Sequence, residues 1–220
     1  MQLVFIILFV AASLLHLYSR LPEKGSRLAV ITKPLLMPLL LGCYLTVCEQ
    51  PALTVYLAMI FSFIGDVFLL YPERKITRLL GFSSFFLAQI SYIVHYIGLV
   101  GAPGKTIIIL AVICYVSAYL ISCLILFPNI PKKWKIPVSI YMLAISGMSF
   151  MALMTFFTRF SNWMGLALFG SGMFICSDFI LCMEIFKEKT RYGNFIVMLT
   201  YIVAQAAIVF GLANIGGLFY

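Results

Sequence analysis

Three ionisable side chains lie inside long apolar runs of this sequence: Lys33, Asp66 and Asp178. Charged side chains are costly inside a membrane and usually mark functional sites. At about 1.5 Å per residue, each lies roughly 8 to 12 Å inside the nearer end of its run. Tyr141 reaches a similar depth. Two carboxyl groups in one layer with an amine and a phenol are typical of an acid–base site, because burial and mutual repulsion give the carboxyl groups different protonation states.

A structural alternative applies to part of this layer. Lys33 could pair with one aspartate only to neutralise the charge that both bury. One lysine cannot neutralise both Asp66 and Asp178, so the second carboxyl group still indicates a function.

Two glutamines lie deeper in the apolar runs. Tyr92 follows Gln89 by three residues and Tyr201 precedes Gln205 by four, so each tyrosine shares a helical face with its glutamine. Either glutamine could hydrogen-bond between helices or contact a substrate, and both alternatives stay open here.

The elements that carry these residues must be membrane helices. The chain has 220 residues, of which 64% are hydrophobic and 10% charged. Its apolar runs are long and continuous, whereas the strands of a membrane barrel alternate. The predicted fold is therefore an all-α polytopic membrane protein with eight transmembrane helices. The runs cover approximately 2–19, 28–48, 51–71, 79–100, 106–127, 136–157, 162–186 and 192–218.

The basic residues predict the orientation. Twelve of the fifteen Lys and Arg residues lie in the odd-numbered connections, and such residues remain on the cytoplasmic side. We expect both termini outside the cytoplasm, in a bacterial inner membrane. This pattern also explains the net charge of +8, so no nucleic-acid partner is predicted. The twelve residues are Arg20, Lys24, Arg27, Arg74, Lys75, Arg78, Lys132, Lys133, Lys135, Lys187, Lys189 and Arg191.

The two aspartates lie in similar segments, Phe63-Ile-Gly-Asp66 and Phe174-Ile-Cys-Ser-Asp178. An Ala-Gln pair ending at Gln89 or Gln205 follows the aspartate by 23 or 27 residues. Chance could produce such short matches. We interpret them as a parallel repeat of four helices, with halves 1–104 and 105–220 in a single membrane domain, 1–220. This repeat would place the aspartates opposite each other.

Several other residues are interpreted as structural. Gly165, Gly170 and Gly172 predict close packing of the seventh helix. Glu184, at the cytoplasmic end of the seventh helix, is expected to be a solvated or snorkelling charge. His16, near a membrane surface, is expected to pack at the interface.

The ordered set of these motifs resembles the YhhN-like lysoplasmalogenase family over nearly the whole chain. The resemblance departs at Gln89, where relatives often carry histidine. The set comprises Thr32-Lys33-Pro34, Gly65-Asp66, Phe86-Leu-Ala-Gln89 with Tyr92, Ser177-Asp178, and Tyr201 with Ala204-Gln205.

The resemblance implies hydrolysis of the vinyl-ether bond of a lysoplasmalogen within the membrane. The products would be a fatty aldehyde and glycerophosphoethanolamine or glycerophosphocholine. Protonation of a vinyl ether and capture of the resulting cation by water need an acid and an anion, roles that suit Asp66 and Asp178 in either order. No metal or organic cofactor is needed. Residues predicted to bind substrate are Lys33, Gln89, Tyr92, Tyr141, Ser177, Tyr201 and Gln205.

The main alternative is a proton-coupled transporter of small molecules or lipids. Internal repeats with buried carboxyl groups also occur in such carriers. The off-centre layer of charges favours the enzyme.

Overall fold

The computed structural model describes residues 1–22, 26–187 and 189–214, with only the backbone of Ser26. Within these ranges the chain forms eight α-helices and no strand. The helices are α1 (Gln2–Ser19), α2 (Ser26–Val47), α3 (Leu53–Phe68), α4 (Lys75–Leu99), α5 (Lys105–Leu126), α6 (Lys132–Thr158), α7 (Asn162–Phe186) and α8 (Gly193–Ala213). The all-α prediction is confirmed.

Seven of these helices are long and apolar enough to cross a membrane, so the chain is an integral membrane protein. The exception is α3, with 16 residues against the 21 predicted for 51–71. A helix of that length spans about 24 Å, less than the roughly 30 Å of a hydrocarbon core. Pro72 restricts the residue before it, which favours an end to α3 before that point. The predicted extension of the eighth helix over 215–218 lies outside the described residues.

Close packing of α7 against α8 brings two parts of the site together. A Cβ at Gly170 would lie 2.8 Å from the Ala204 carbonyl oxygen and from the Ile208 backbone nitrogen, so the predicted close packing is confirmed there. For Gly172 the prediction is wrong, because a Cβ there would meet nothing within 4 Å. No neighbouring helix packs closely against Gly172.

Helix α5 lies at the edge of the bundle. Its principal neighbours are α6 and α7. Of its residues, only Ala111 and Leu126 are buried. A helix that buries so little is held loosely by its neighbours, since packed apolar area stabilises helix contacts.

One end of the bundle positions the polar residues. The last turns of α3 and α7, the first turns of α2, α4 and α8, and Arg20, which directly follows α1, line a common opening. Arg20, Arg78 and Lys189 lie around it, and we call it the basic end. The prediction of two related halves within a single domain stays a prediction.

Candidate active site

A cavity of about 430 Å³ opens at the basic end and contains both aspartates. Lys33, Ser177 and Tyr201 also line it, so residues from α2, α3, α7 and α8 meet there. We call it the central cavity. Its volume lies within the usual range for small-molecule sites.

Asp66 is held by two partners. Its side chain is buried, with the whole residue 1% exposed. The Lys33 Nζ lies 3.4 Å from Asp66 Oδ1, and the Tyr201 hydroxyl donates to Oδ2 at 2.8 Å. The Lys33–aspartate pair considered from the sequence therefore forms with Asp66. Such contacts stabilise the ionised carboxylate.

Asp178 has different surroundings, although it also lies in the cavity wall and is buried. The Tyr141 hydroxyl donates a hydrogen bond to Asp178 Oδ2. Among the described residues, no cation lies within salt-bridge distance of Asp178. Asp66 and Lys33 nevertheless line the same cavity as Asp178. Asp66 thus has a counter-ion, and Asp178 has none in contact among the residues that the structure describes.

Ser177, beside Asp178, joins two helices. Its hydroxyl donates to the Val197 carbonyl at 3.0 Å, across the contact between α7 and α8. This bond fixes the register of α7 against α8, so it determines where Asp178 lies relative to Tyr201.

Gln205 lies behind the cavity wall, where it holds Tyr201. Its amide nitrogen donates to Ser62 Oγ at 3.0 Å and to the Tyr201 hydroxyl at 3.5 Å. Its carbonyl oxygen accepts from the Tyr92 hydroxyl at 3.1 Å. Within the described chain, neither Gln205 nor Tyr92 lines the central cavity. This geometry supports the interhelical alternative for Gln205, acting on Asp66 through Tyr201.

Gln89 lies in contrasting surroundings. It is fully buried, yet neither atom of its amide group has a hydrogen-bond partner among the described residues. The described lining of the central cavity does not include it. An unpaired buried amide destabilises a fold, and its predicted contact with substrate stays a prediction.

Arg20 and His16 are site residues that the sequence interpretation missed. Arg20 lines the cavity, and its Nε donates to His16 Nε2 at 3.4 Å. His16 lies three residues before the end of α1 and is fully buried, and its predicted packing at the membrane interface stays a prediction. Thr32 Oγ1 donates to the Leu28 carbonyl and lies 2.8 Å from His16 Nδ1. The threonine hydrogen is thereby committed, so Nδ1 is the donor and a neutral imidazole accepts from Arg20.

Arg78 also faces the opening. Its Nε donates to the Pro72 carbonyl at 2.8 Å, and its guanidinium lies 5.3 Å from the Trp134 ring centroid and 5.5 Å from that of Phe186. These contacts hold the Arg78 cation in place. In the sequence, Arg20 and Arg78 indicate only the orientation, because their positions between the apolar runs do not reveal that their side chains fold inward.

Glu184 corrects another expectation. It is buried rather than solvated, and Oε1 accepts from the backbone nitrogen and the hydroxyl of Thr190 at 3.0 and 2.7 Å. Its carboxyl group lies against Gly193, which has no side chain to exclude it. The glutamate therefore ties the connection between α7 and α8 to the cavity wall.

These features define a helical integral membrane protein with two buried carboxyl groups in one cavity. The chain belongs to the YhhN family, whose family model matches residues 28–212. That family includes lysoplasmalogenases. Neither the curated proteins nor the solved structures include a significant match.

Proposed function

We propose that this protein is a hydrolase that cleaves the vinyl-ether bond of a lysophospholipid. The observation that carries the proposal is the unequal pair of carboxyl groups in one cavity. Asp66 contacts a lysine and a tyrosine, whereas Asp178 contacts a tyrosine and no described cation. Membership of the YhhN family supports the same reaction.

The unequal surroundings assign the two roles. Lys33 compensates the charge of Asp66, which therefore acts as the carboxylate. Asp178 is buried in the same cavity as that negative charge and contacts no described cation, and so it carries the proton and acts as the acid. Tyr141 orients the Asp178 carboxyl group through its hydrogen bond.

The reaction then balances with these two groups and one water molecule. Asp178 donates its proton to the β-carbon of the vinyl ether, which leaves an oxocarbenium ion stabilised by the Asp66 carboxylate. Water attacks the cationic carbon and gives a proton to Asp66, forming a neutral hemiacetal. As the hemiacetal collapses, its hydroxyl proton returns to Asp178 and Asp66 protonates the departing oxygen. Aldehyde and glycerophospho head group are released, and both carboxyl groups regain their starting states.

The basic end suits the head group of such a lipid. Arg20 and Arg78 lie at the cavity wall, and guanidinium groups bind phosphate through paired hydrogen bonds. Glu73 also lines this wall, in an exposed 3.9 Å pair with Lys189, and could receive the ammonium group of ethanolamine or choline. The wall therefore offers both charges of a zwitterionic head group.

The same end would face the cytoplasm of a bacterial inner membrane, with both termini outside. The excess of Lys and Arg in the odd-numbered connections supports this orientation. A head group bound at Arg20 would then come from the cytoplasmic leaflet.

The test is release of fatty aldehyde from a lysoplasmalogen by purified protein in detergent. We expect activity in the wild type and its loss in Asp66→Asn and Asp178→Asn, because each variant lacks a proton-transfer group. Glu49→Gln is the matched control, since Glu49 is an exposed acid at the end of the bundle opposite the cavity. It should keep wild-type activity.

The proposal fails if folded wild-type protein releases no aldehyde. Solute uptake by vesicles containing the same inactive protein would favour the transporter instead. Equal losses in Glu49→Gln and the two aspartate variants would also contradict a specific role for the carboxyl pair.

A further inference from the structure

A second cavity lies on the far side of Asp178 from the central cavity. Its volume is about 270 Å³, and it lies between α5, α6 and α7. We call it the side cavity. Asp178 lines both cavities, and its partner Tyr141 lines the side cavity. The carboxyl group that is the proposed acid therefore stands where the two spaces adjoin.

The side cavity is lined mainly by apolar groups and is elongated along the helices. On α7 its wall runs from Gly172 to Cys182, a distance of about 15 Å at the rise of an α-helix. On α6 it runs from Tyr141 to Ser149. A cavity of about 270 Å³ that extends over about 15 Å has room for one hydrocarbon chain.

The two cavities differ in chemistry in the way that the two parts of a lysolipid differ. Arginine and lysine side chains line the central cavity. Among the described residues, the only ionisable acid or base of the Asp, Glu, Lys, Arg or His types that lines the side cavity is Asp178. A molecule with one charged end and one aliphatic chain would thus place the bond between them at Asp178.

Helix α5 offers a route from the bilayer. It forms one wall of the side cavity through residues that include Cys114 and Ala118, and both are exposed on the surface of the bundle. An aliphatic chain in the bilayer can therefore reach this cavity by passing beside α5 without crossing water.

We infer that the side cavity between α5, α6 and α7 binds the aliphatic chain of the substrate, and that Gly172 sets the chain length accepted. The inference rests on the proposed hydrolase function, which places the reacting bond at Asp178. Gly172 lies six residues from Asp178 on α7, or about 9 Å along the axis. A chain that starts at Asp178 and follows α7 must pass Gly172 if it is longer than that distance.

Gly172 allows a direct test because a Cβ at this position meets nothing within 4 Å. Gly172→Leu would fill the cavity without displacing protein atoms near the backbone. Gly98→Leu is the matched control, since Gly98 is also helical, also meets nothing within 4 Å and lies on α4 outside the described lining of both cavities. Each variant is assayed with lysoplasmalogens that carry a hexadecenyl or a hexenyl chain.

We expect Gly172→Leu to lower kcat/KM for the hexadecenyl substrate by about tenfold or more. The kcat/KM for the hexenyl substrate should fall much less. Gly98→Leu should change neither. Equal losses for both substrates, or no loss in Gly172→Leu, would overturn the chain site.

A binding measurement separates this inference from the proposed reaction. A hexadecyl lysophospholipid with a saturated ether cannot be cleaved by protonation of a double bond, yet it should raise the unfolding temperature of the wild type in detergent. The rise in unfolding temperature should be smaller in Gly172→Leu than in the wild type, and in Gly98→Leu it should equal that of the wild type. If wild type binds this lipid with that pattern but releases no aldehyde from a lysoplasmalogen, the proposed function fails and the chain site stands. An equal rise in all three proteins overturns the chain site alone.

Discussion

The Tyr201 hydroxyl donates to the Asp66 carboxylate at 2.8 Å, although the residues are separated by 135 positions and lie on α8 and α3. Gln205, one turn along α8, contacts the same tyrosine and Ser62 on α3. The carboxylate proposed to stabilise the cation is therefore oriented by the last helix of the bundle.

The first prediction concerns this contact. Tyr201→Phe removes a hydrogen bond to a charged group, worth about 1.5–3 kcal/mol, so we expect kcat to fall roughly ten- to a hundredfold. The KM should change little, because the bond orients Asp66 rather than the lipid. Tyr92→Phe is the comparison, since its hydroxyl reaches Asp66 only through Gln205 and Tyr201. Steady-state aldehyde release gives kcat and KM for both variants. A larger loss of kcat in Tyr92→Phe than in Tyr201→Phe would contradict the direct role of Tyr201 on Asp66.

The second prediction concerns the ion pair between Lys33 and Asp66. Removing one partner leaves a buried charge uncompensated, which costs about 3–5 kcal/mol. We expect Lys33→Met and Asp66→Asn each to lower the unfolding temperature in detergent. The double variant should recover much of the stability, since neither charge remains, but it should not regain activity. Recovered activity in the double variant would show that Asp66 takes no part in the reaction.

The third prediction compares the two glutamines. Gln205→Met breaks bonds to Ser62 and Tyr201, and unpairing such buried groups costs about 1–3 kcal/mol. Gln89→Met removes an amide that has no described partner. We expect the first variant to be less stable and less active, and the second to be at least as stable as wild type with unchanged activity.

Thermal unfolding and aldehyde release together separate the alternatives for Gln89. If Gln89→Met is stable but raises KM, the amide contacts substrate, as the sequence-based prediction holds. If it unfolds readily, the amide has a structural partner after all.

The fourth prediction concerns two glycines of α7. Gly170→Ala forces a Cβ against the backbone of α8, and overpacking of this kind costs about 1–3 kcal/mol. Gly172→Ala meets no neighbour within 4 Å and should be neutral or stabilising, because alanine forms helix better than glycine by about 1 kcal/mol. Unfolding temperatures in detergent compare them, and equal effects would contradict the α7–α8 packing described here.

The sequence by itself determined that this is an all-helical membrane protein, and it placed Lys33, Asp66 and Asp178 on helices that could share a site. These properties depend on local quantities. Hydrophobicity over about 20 residues identifies a helix that can span, and a rare charge within it is visible without any knowledge of its neighbours. The shortness of α3 was less visible, since apolar residues continue beyond the helix end.

The tertiary structure decided which carboxyl group receives the lysine and which glutamine finds a partner. Gln205 faces Ser62 across α3 and α8, whereas neither atom of the Gln89 amide has a described hydrogen-bond partner. Such outcomes depend on contacts between side chains far apart in the chain, whose geometry no local pattern encodes.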